Sequence, residues 1–362
     1  MEAAIHLLSK FIDDHGQDPS LCCIKIDMFN AFNNCFRDSF LLRLRKELPE
    51  IYSWALWCYY SKGELRFGNH RLQSSGGVQQ GDPLGPLLFS LVVLELMDDI
   101  GSAGKVPLQL WYLDDGTFIG PRPAIAQLFH LLQSRGPSVG LLLNPTKCEV
   151  FWPSGNQKFS EFPSEVQRVV GSVGGVEFLG SPVFGSEEYY CGHIAKRVDK
   201  VLQCQEKLLD MDDPQIQLLL LRSCLSSCKI DNLLRTVPPN KGIQQLAKFD
   251  SNLRVCLDAI IRCSTSDMSW LQASLPVRQG GLGLREAVRM SSSAFIGNCN
   301  SVRSLCSRLL PTAPLLQESV PNSNYSSPDF SAFPGDSAAK DHIRSLVPDS
   351  LDTIDLTACD IH

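Results

Sequence analysis

Two apolar runs, Leu108 to Leu113 and Gly116 to Ile119, meet at the adjacent carboxylates Asp114-Asp115, inside Trp111-Tyr-Leu-Asp-Asp-Gly116. Such a junction predicts a hairpin with two acids at its tip. Adjacent carboxylates on a tight turn repel each other and lose hydration. A divalent cation relieves both costs, and an oxygen-only ligand set with open positions suits Mg²⁺, whose usual work is binding phosphates. A second apolar strand, Leu21-Cys-Cys-Ile-Lys-Ile-Asp27, ends on a third carboxylate. Two ions held by carboxylates about 3.5–4 Å apart can activate an attacking 3′-hydroxyl and stabilise a departing pyrophosphate. Taken alone, Asp-Asp-Gly reads more readily as a solvated turn.

The chain around these acids is patterned in two halves. Glu2 to Ile12 has helical periodicity, as do Ser39 to Arg45, Ile51 to Tyr60 and Ala124 to Gln133. Glu64 to Gln73 reads as a hairpin turning at Gly68-Asn69. Asp82-Pro83 is a helix start, with Asp82 as N-cap and Pro83 in the first turn, continued by an apolar run to Met97. Gly140 to Trp152 and Val176 to Phe184 supply further strand material. From His193 the pattern becomes helical: Lys196 to Met211, Pro214 to Val237 behind the cap Asp213, and Lys241 to Cys263. The expected organisation is residues 1–186 as a mixed α+β domain, 187–310 as a helical region, and 311–362, rich in Pro, Ser and Asp, as a disordered tail.

Composition excludes some classes. No run reaches the ~18–20 apolar residues that cross a bilayer, so no membrane partner is expected. The N-terminus lacks the order of a secretory signal; an intracellular, cytoplasmic or nuclear protein is expected. The 14 cysteines fall without CxxC pairs or a Cys/His ladder, so they read as reduced thiols packed as small hydrophobes. A net charge of -6 weighs mildly against nucleic acid. A concentrated acidic site beside a basic groove weakens that objection.

Five segments, in order, change the weight of the acids. Asp27-Met-Phe-Asn-Ala-Phe-Asn33 resembles motif A of reverse transcriptases. Gly77-Val-Gln-Gln-Gly-Asp-Pro-Leu-Gly-Pro86 resembles motif B, and Tyr112-Leu-Asp-Asp115 motif C. Gly140-Leu-Leu-Leu-Asn-Pro-Thr-Lys-Cys-Glu149 is similar to motif D, and Glu177-Phe-Leu-Gly180 to motif E. Asp27 and Asp114 lie 87 positions apart, and Asp114 and Lys147 33 apart. The resemblance covers roughly Glu2 to Phe184 and is most like non-LTR retrotransposon polymerases. A weaker echo follows at Leu275-Pro-Val-Arg-Gln-Gly-Gly-Leu-Gly-Leu284.

The resemblance implies a right-hand polymerase palm, an antiparallel sheet with packed helices, followed by an all-α thumb-like region. It implies RNA-directed DNA synthesis with two Mg²⁺ ions (or Mn²⁺), dNTPs, and an RNA template carrying a DNA primer. Asp27 and Asp114 would hold both ions and Asp115 would assist. Phe32 would sit beneath the incoming sugar, where a ring clashes with a 2′-hydroxyl. Gln80 and Gly81 would meet the nascent base pair, a close backbone approach suiting glycine. Lys147 is either a general acid to pyrophosphate or a surface lysine. Leu179 and Gly180 would form the primer grip. Lys196, Arg197, Lys200 and Lys207 recur at near-helical spacing and read as a solvated face or a duplex-facing one.

The family's fingers, with their triphosphate-holding cations, normally precede motif A; here about twenty residues do, with Lys10 the sole Lys or Arg among them. The expectation is a core or fragment whose fingers the rest of a larger polyprotein supplies. The alternative is a catalytically impaired relic that binds nucleic acid or protein.

Overall fold

The computed structural model describes residues 1–61, 63–155, 161–169 and 174–310. Two compact units emerge, Met1–His193 joined by the stretch from Ser301, and Ile194–Asn300. The first runs α1 (Glu2–His15), β1 (Leu21–Ile26), α2 (Ala31–Asn34), α3 (Arg37–Glu47), α4 (Pro49–Tyr60), β2 (Gly63–Phe67), β3 (His70–Ser74) and α5 (Gly85–Ile100). It continues through β4 (Leu108–Tyr112), β5 (Asp115–Pro121), α6 (Arg122–Arg135), β6 (Glu149–Phe151), β7 (Gln167–Val169), β8 (Gly175–Phe178) and β9 (Ser181–Gly185). This is an α+β architecture.

A five-stranded sheet in the order β4-β5-β1-β6-β7 forms its centre. β1 pairs antiparallel with both β5 and β6. The expected all-antiparallel sheet is modified at one edge, where β7 runs parallel to β6. Side chains alternate across a strand, so β1 divides its residues between two faces. Cys22, Ile24 and Ile26 join a core with Phe40, Leu44, Leu88, Phe89, Val92 and Phe129 from the helices. Each fully buried side chain of this size contributes roughly 1.5–3 kcal/mol. The opposite face carries Cys23 and Lys25. Phe151, the register partner of Cys23, stacks there on Phe184 of β9 with centroids 5.8 Å apart. Lys25 sits one register step from that buried patch, toward the strand end where Asp27 leaves the sheet.

Several expectations shift in detail. The hairpin of β2 and β3 turns at Gly68-Asn69, as its sequence indicated. The acid hairpin is displaced by one residue: Tyr112 pairs with Asp115, so the two-residue turn is Leu113-Asp114 and Asp115 already belongs to β5. α5 begins at Gly85 rather than Pro83, with Pro86 as its early proline. Asp82 instead accepts the Leu84 N–H at 2.9 Å, a local Asx bond with the same sequence signature as a cap. Of Gly140 to Trp152, only β6 is strand, because Gly140 takes a left-handed φ of 82° and Asn144-Pro145 starts a turn.

The second unit is helical. It contains the continuation of α7 (Glu187–Leu208), then α8 (Pro214–Cys224), α9 (Asp231–Thr236), α10 (Ile243–Ile261), α11 (Asp267–Ser274) and the start of α12 (Ala287–Leu309). Asp213 caps α8 as read from sequence, its carboxylate accepting the Gln215 and Ile216 N–H groups at 3.0 and 3.1 Å. The single helix expected over Pro214 to Val237 breaks into α8 and α9. Ser226 Oγ turns back to donate to the Arg222 carbonyl at 2.7 Å, and Gln205 Nε2 donates to the Leu225 carbonyl at 2.7 Å. Those carbonyls are thereby satisfied without a continuing helix. The Leu275 to Leu284 segment folds back on α11, with Leu282 N–H donating to Ala273 O at 3.0 Å and Gly283 N–H to Leu275 O at 2.9 Å. The expected disordered tail lies outside the described residues. Among the described residues, no helix is long and apolar enough to cross a membrane.

Candidate active site

Asp27 leaves the end of β1 with its backbone committed to the segment before β6. Its carbonyl accepts the Asn144 N–H at 2.9 Å, and Phe29 N–H donates to Leu142 O at 2.7 Å. Its own N–H points at the Cys148 sulfur, 3.5 Å away. These bonds bring Asn144 and Lys147 beside Asp27. The turn between them is closed by Lys147 N–H donating to Asn144 O at 3.0 Å.

Asp114 arrives from the β4–β5 turn. Leu113, the first turn residue, has φ 57°. Two-residue hairpin turns need a left-handed residue to match strand twist, a place glycine usually fills. A leucine there costs about 1–2 kcal/mol, and such strain gathers at functional turns.

A cleft of about 510 Å³ is lined by Asp27, Phe32, Gln80, Asp114, Asn144 and Lys147, with the Met28–Ala31 backbone turn beneath. Phe32 is half-buried and stacks on Phe89 of the core, centroids 4.3 Å apart and planes 13° from parallel. One face of its ring is thus fixed by packing while the side chain borders the cleft. Gly81 follows Gln80 with φ 90°.

Asp115 faces elsewhere. It lines a trough of about 360 Å³ with Lys25, Thr117, Glu149, Leu179 and Gly180. Partial loss of hydration there raises its pKa, Asp114 and Asp27 add to the rise, and Lys25 opposes it. Lys25 is itself paired with Glu149 across β1 and β6 at 3.2 Å. Leu179 and Gly180 form the β8–β9 turn with φ of 49° and 81°, both left-handed. The structure therefore gathers Asp27, Phe32, Gln80, Asp114 and Lys147 in one cleft. It groups Asp115 with Leu179 and Gly180 in the other. Among the described residues, no three His, Cys, Asp or Glu side chains converge closely enough to hold a metal ion. The donor set still fits a hard cation: Asp27 and Asp114 share a cleft, Asp115 feels both charges, and the amide oxygens of Asn30, Asn33, Gln80 and Asn144 also line that cleft.

Lys25, Asn144 and Glu149 line these cavities without having been singled out from sequence. Lys25 lies two positions before Asp27, yet it lines the trough with Asp115 and Glu149 and not the cleft of Asp27. Lys196, Arg197, Lys200 and Lys207 are exposed on α7, where Arg197 donates to the Lys229 carbonyl at 3.0 Å.

Residues 4–183 match the pattern of the family described as reverse transcriptase (RNA-dependent DNA polymerase). The chain is also similar to the retrotransposable element SLACS 132 kDa protein of Trypanosoma brucei gambiense, 25% identical over 240 residues. That match takes in 65% of this chain and 19% of the relative, so the chain spans about a fifth of that protein's length. A solved structure of telomerase from Candida albicans, in complex with a TWJ fragment of telomeric RNA, aligns with 84% of this chain and 51% of its own, at 13% identity and a TM-score of 0.31. With the ordered motifs and the family match in agreement, residues 4–183 belong to the reverse transcriptase (RNA-dependent DNA polymerase) family.

Proposed function

We propose that the chain is the polymerase core of a retroelement enzyme that copies RNA into DNA by two-metal nucleotidyl transfer. The observation that carries this reading is the shared cleft of Asp27 and Asp114, bordered by Phe32, Gln80 and Lys147. Asp27 and Asp114 would hold two Mg²⁺ ions (Mn²⁺ as a substitute), with Asp115 assisting from the adjoining trough. When bound, such ions lower the cost of ionising the primer 3′-hydroxyl and of the charge that develops on the leaving pyrophosphate.

The other roles belong to the chain's own side chains. Phe32, braced from behind by Phe89, presents a wall to the sugar and rejects a 2′-hydroxyl by contact. Gln80 offers donor and acceptor to the nascent base pair, and Gly81 leaves the backbone there without a side chain. Lys147 is exposed on the cleft, close enough to the acids' side to donate a proton to pyrophosphate. Leu179 and Gly180 hold the primer strand against the trough that contains Asp115. The partners are an RNA template, a DNA primer and dNTPs, with other segments of a longer polyprotein contributing to their binding.

The test is extension of oligo(dT) on poly(rA) by the purified chain, with dTTP or UTP and with Mg²⁺ or excess EDTA. Metal-dependent incorporation that favours dTTP upholds the reading. The spread of the three acids over two cavities favours a second reading, a polymerase-shaped module that binds nucleic acid without turnover. Template-primer retention with no incorporation, by this chain and by a longer version extended upstream, selects that one.

A further inference from the structure

The segment from Ser74 to Leu84 carries Gln80 yet belongs to neither helix nor strand after Ser74. Its backbone groups must find partners elsewhere, and those partners are few and specific. Gly77 N–H donates to Cys35 O at 3.0 Å, and Val78 N–H to Phe32 O at 2.8 Å. The segment is therefore laced to the turn that carries the sugar-facing Phe32. From the other side, Arg37 at the start of α3 reaches across. Its guanidinium donates to Gly77 O at 3.1 Å, Ser74 Oγ at 2.9 Å, Gly76 O at 3.3 Å and Tyr59 O at 3.4 Å.

Tyr59 completes the attachment. Its ring is 2% exposed, packed edge-on against Phe40 at 5.2 Å and covered by the Arg37 guanidinium at 5.2 Å. Packing alone would be served equally by phenylalanine. The hydroxyl is what reaches the segment. It accepts the Gln79 N–H at 3.1 Å and donates to Asp82 Oδ2. The other Asp82 oxygen accepts the Leu84 N–H at 2.9 Å, and the Asp82 N–H returns to Gln79 O at 3.2 Å. Gln80 and Gly81 are thus the two residues spanning a pair of anchors, Gln79 and Asp82, that one buried hydroxyl holds together.

We propose that Tyr59, Arg37 and Asp82 form a positioning bracket that sets the placement of Gln80 relative to Phe32, and so the nucleotide selectivity of the cleft. The three residues touch no substrate; they act through the segment they hold. This rests on the function proposed above for Phe32 and Gln80, whereas the bracket itself is a property of the free protein.

Tyr59→Phe keeps the ring and deletes both hydroxyl bonds, so it is the decisive variant. Arg37→Lys is its conservative companion and retains charge without the fork. Two readouts on the full chain separate the claims. Amide hydrogen exchange in Tyr59→Phe is expected to quicken about tenfold or more over residues 76–85, the scale of one to two lost hydrogen bonds, while residues 108–121 keep wild-type rates. In primer extension, KM for dTTP is expected to rise about tenfold with kcat little changed, and preference for dTTP over UTP to fall. Adding Asp82→Asn to Tyr59→Phe is expected to change KM little further, because both remove the same bond. Unchanged exchange over 76–85, or faster exchange everywhere, overturns the bracket. Localised exchange with unaltered KM and unaltered discrimination overturns its link to selectivity. A wild type that extends no primer refutes the proposed function, while the exchange result still decides the bracket.

Discussion

At the scale of single residues, the contrast between Phe32 and an ordinary core aromatic is one of orientation. Both would be packed; Phe32 is packed on one side only, against Phe89, and borders the cleft on the other. Phe32→Val should therefore have two separable effects. Opening space beneath the sugar should raise UTP use relative to dTTP by roughly tenfold or more, the worth of a few methylenes at a discriminating wall. Losing the ring stack should lower stability by about 1–2 kcal/mol. Competition between labelled UTP and dTTP, with a urea melt beside it, measures both; unchanged discrimination would remove Phe32 from the role assigned to it. The placement of the acids at strand ends was legible from sequence: Asp27 follows β1, and Asp114 and Asp115 lie where β4 turns into β5. Their division between two cavities was not. It depends on the register, Tyr112 opposite Asp115, which leaves Asp114 in the turn and makes Asp115 the first residue of β5.

At the scale of elements, two glycines of one segment make a controlled comparison. Both have positive φ, 64° at Gly77 and 90° at Gly81. A Cβ on Gly77 would come within 2.3 Å of the Phe32 carbonyl oxygen and 2.5 Å of the Asn33 Cα, whereas one on Gly81 meets nothing within 4 Å. Gly77→Ala should destabilise by more than the ~1–2 kcal/mol of backbone strain alone, while Gly81→Ala should cost about that strain and no more. Denaturant midpoints for the pair check this; equal losses would contradict the close approach.

A second element-scale prediction concerns α12. Asp250 of α10 caps it from a distance, its two oxygens accepting the Ala287 and Val288 N–H groups at 2.6 and 3.0 Å. Burial, reinforced by Glu286 and opposed by those two bonds, pushes its pKa up to about 7. The folded state thus keeps a proton that the unfolded chain releases near pH 4. Stability then falls as pH rises from about 4 to 7 and levels off above it, a change of a few kcal/mol at about 1.4 kcal/mol per pKa unit. Thermal melts between pH 5 and 8 should show this decline, and Asp250→Asn should flatten it; the same slope in both proteins would count against the assignment. Nothing in the periodicity of α10 marks Asp250, because its partners are backbone groups 37 and 38 positions away. Asp82 misled for a related reason: an N-cap and an Asx turn share one local signature, and only the position of the first helical bond tells them apart.

For the molecule as a whole, the first compact unit keeps residues 187–193 and the stretch from Ser301, which the sequence pattern groups with the helical region 187–310. At Asp213 the cap residue and the helical pattern coincide, and α8 starts where the sequence indicated. The pattern failed where serine side chains interrupted it, as at Ser226. The net charge of -6 is spread over the whole sequence, whereas Asp27, Asp114 and Asp115, the acids proposed to hold metal, line two small cavities. Global charge therefore says little about the cleft.

The claim on which all of this turns is that Asp114, placed by a strained two-residue turn beside Asp27, belongs to a working polymerase site. Primer extension on poly(rA)·oligo(dT) by the wild type and by Asp114→Asn, at matched template-primer occupancy, tests it most directly. Mg²⁺-dependent dTMP incorporation is expected of the wild type, with a fall of roughly a hundredfold or more in the variant, the scale of losing one charge-stabilising group from a preorganised site. Equal incorporation by the two proteins would contradict it.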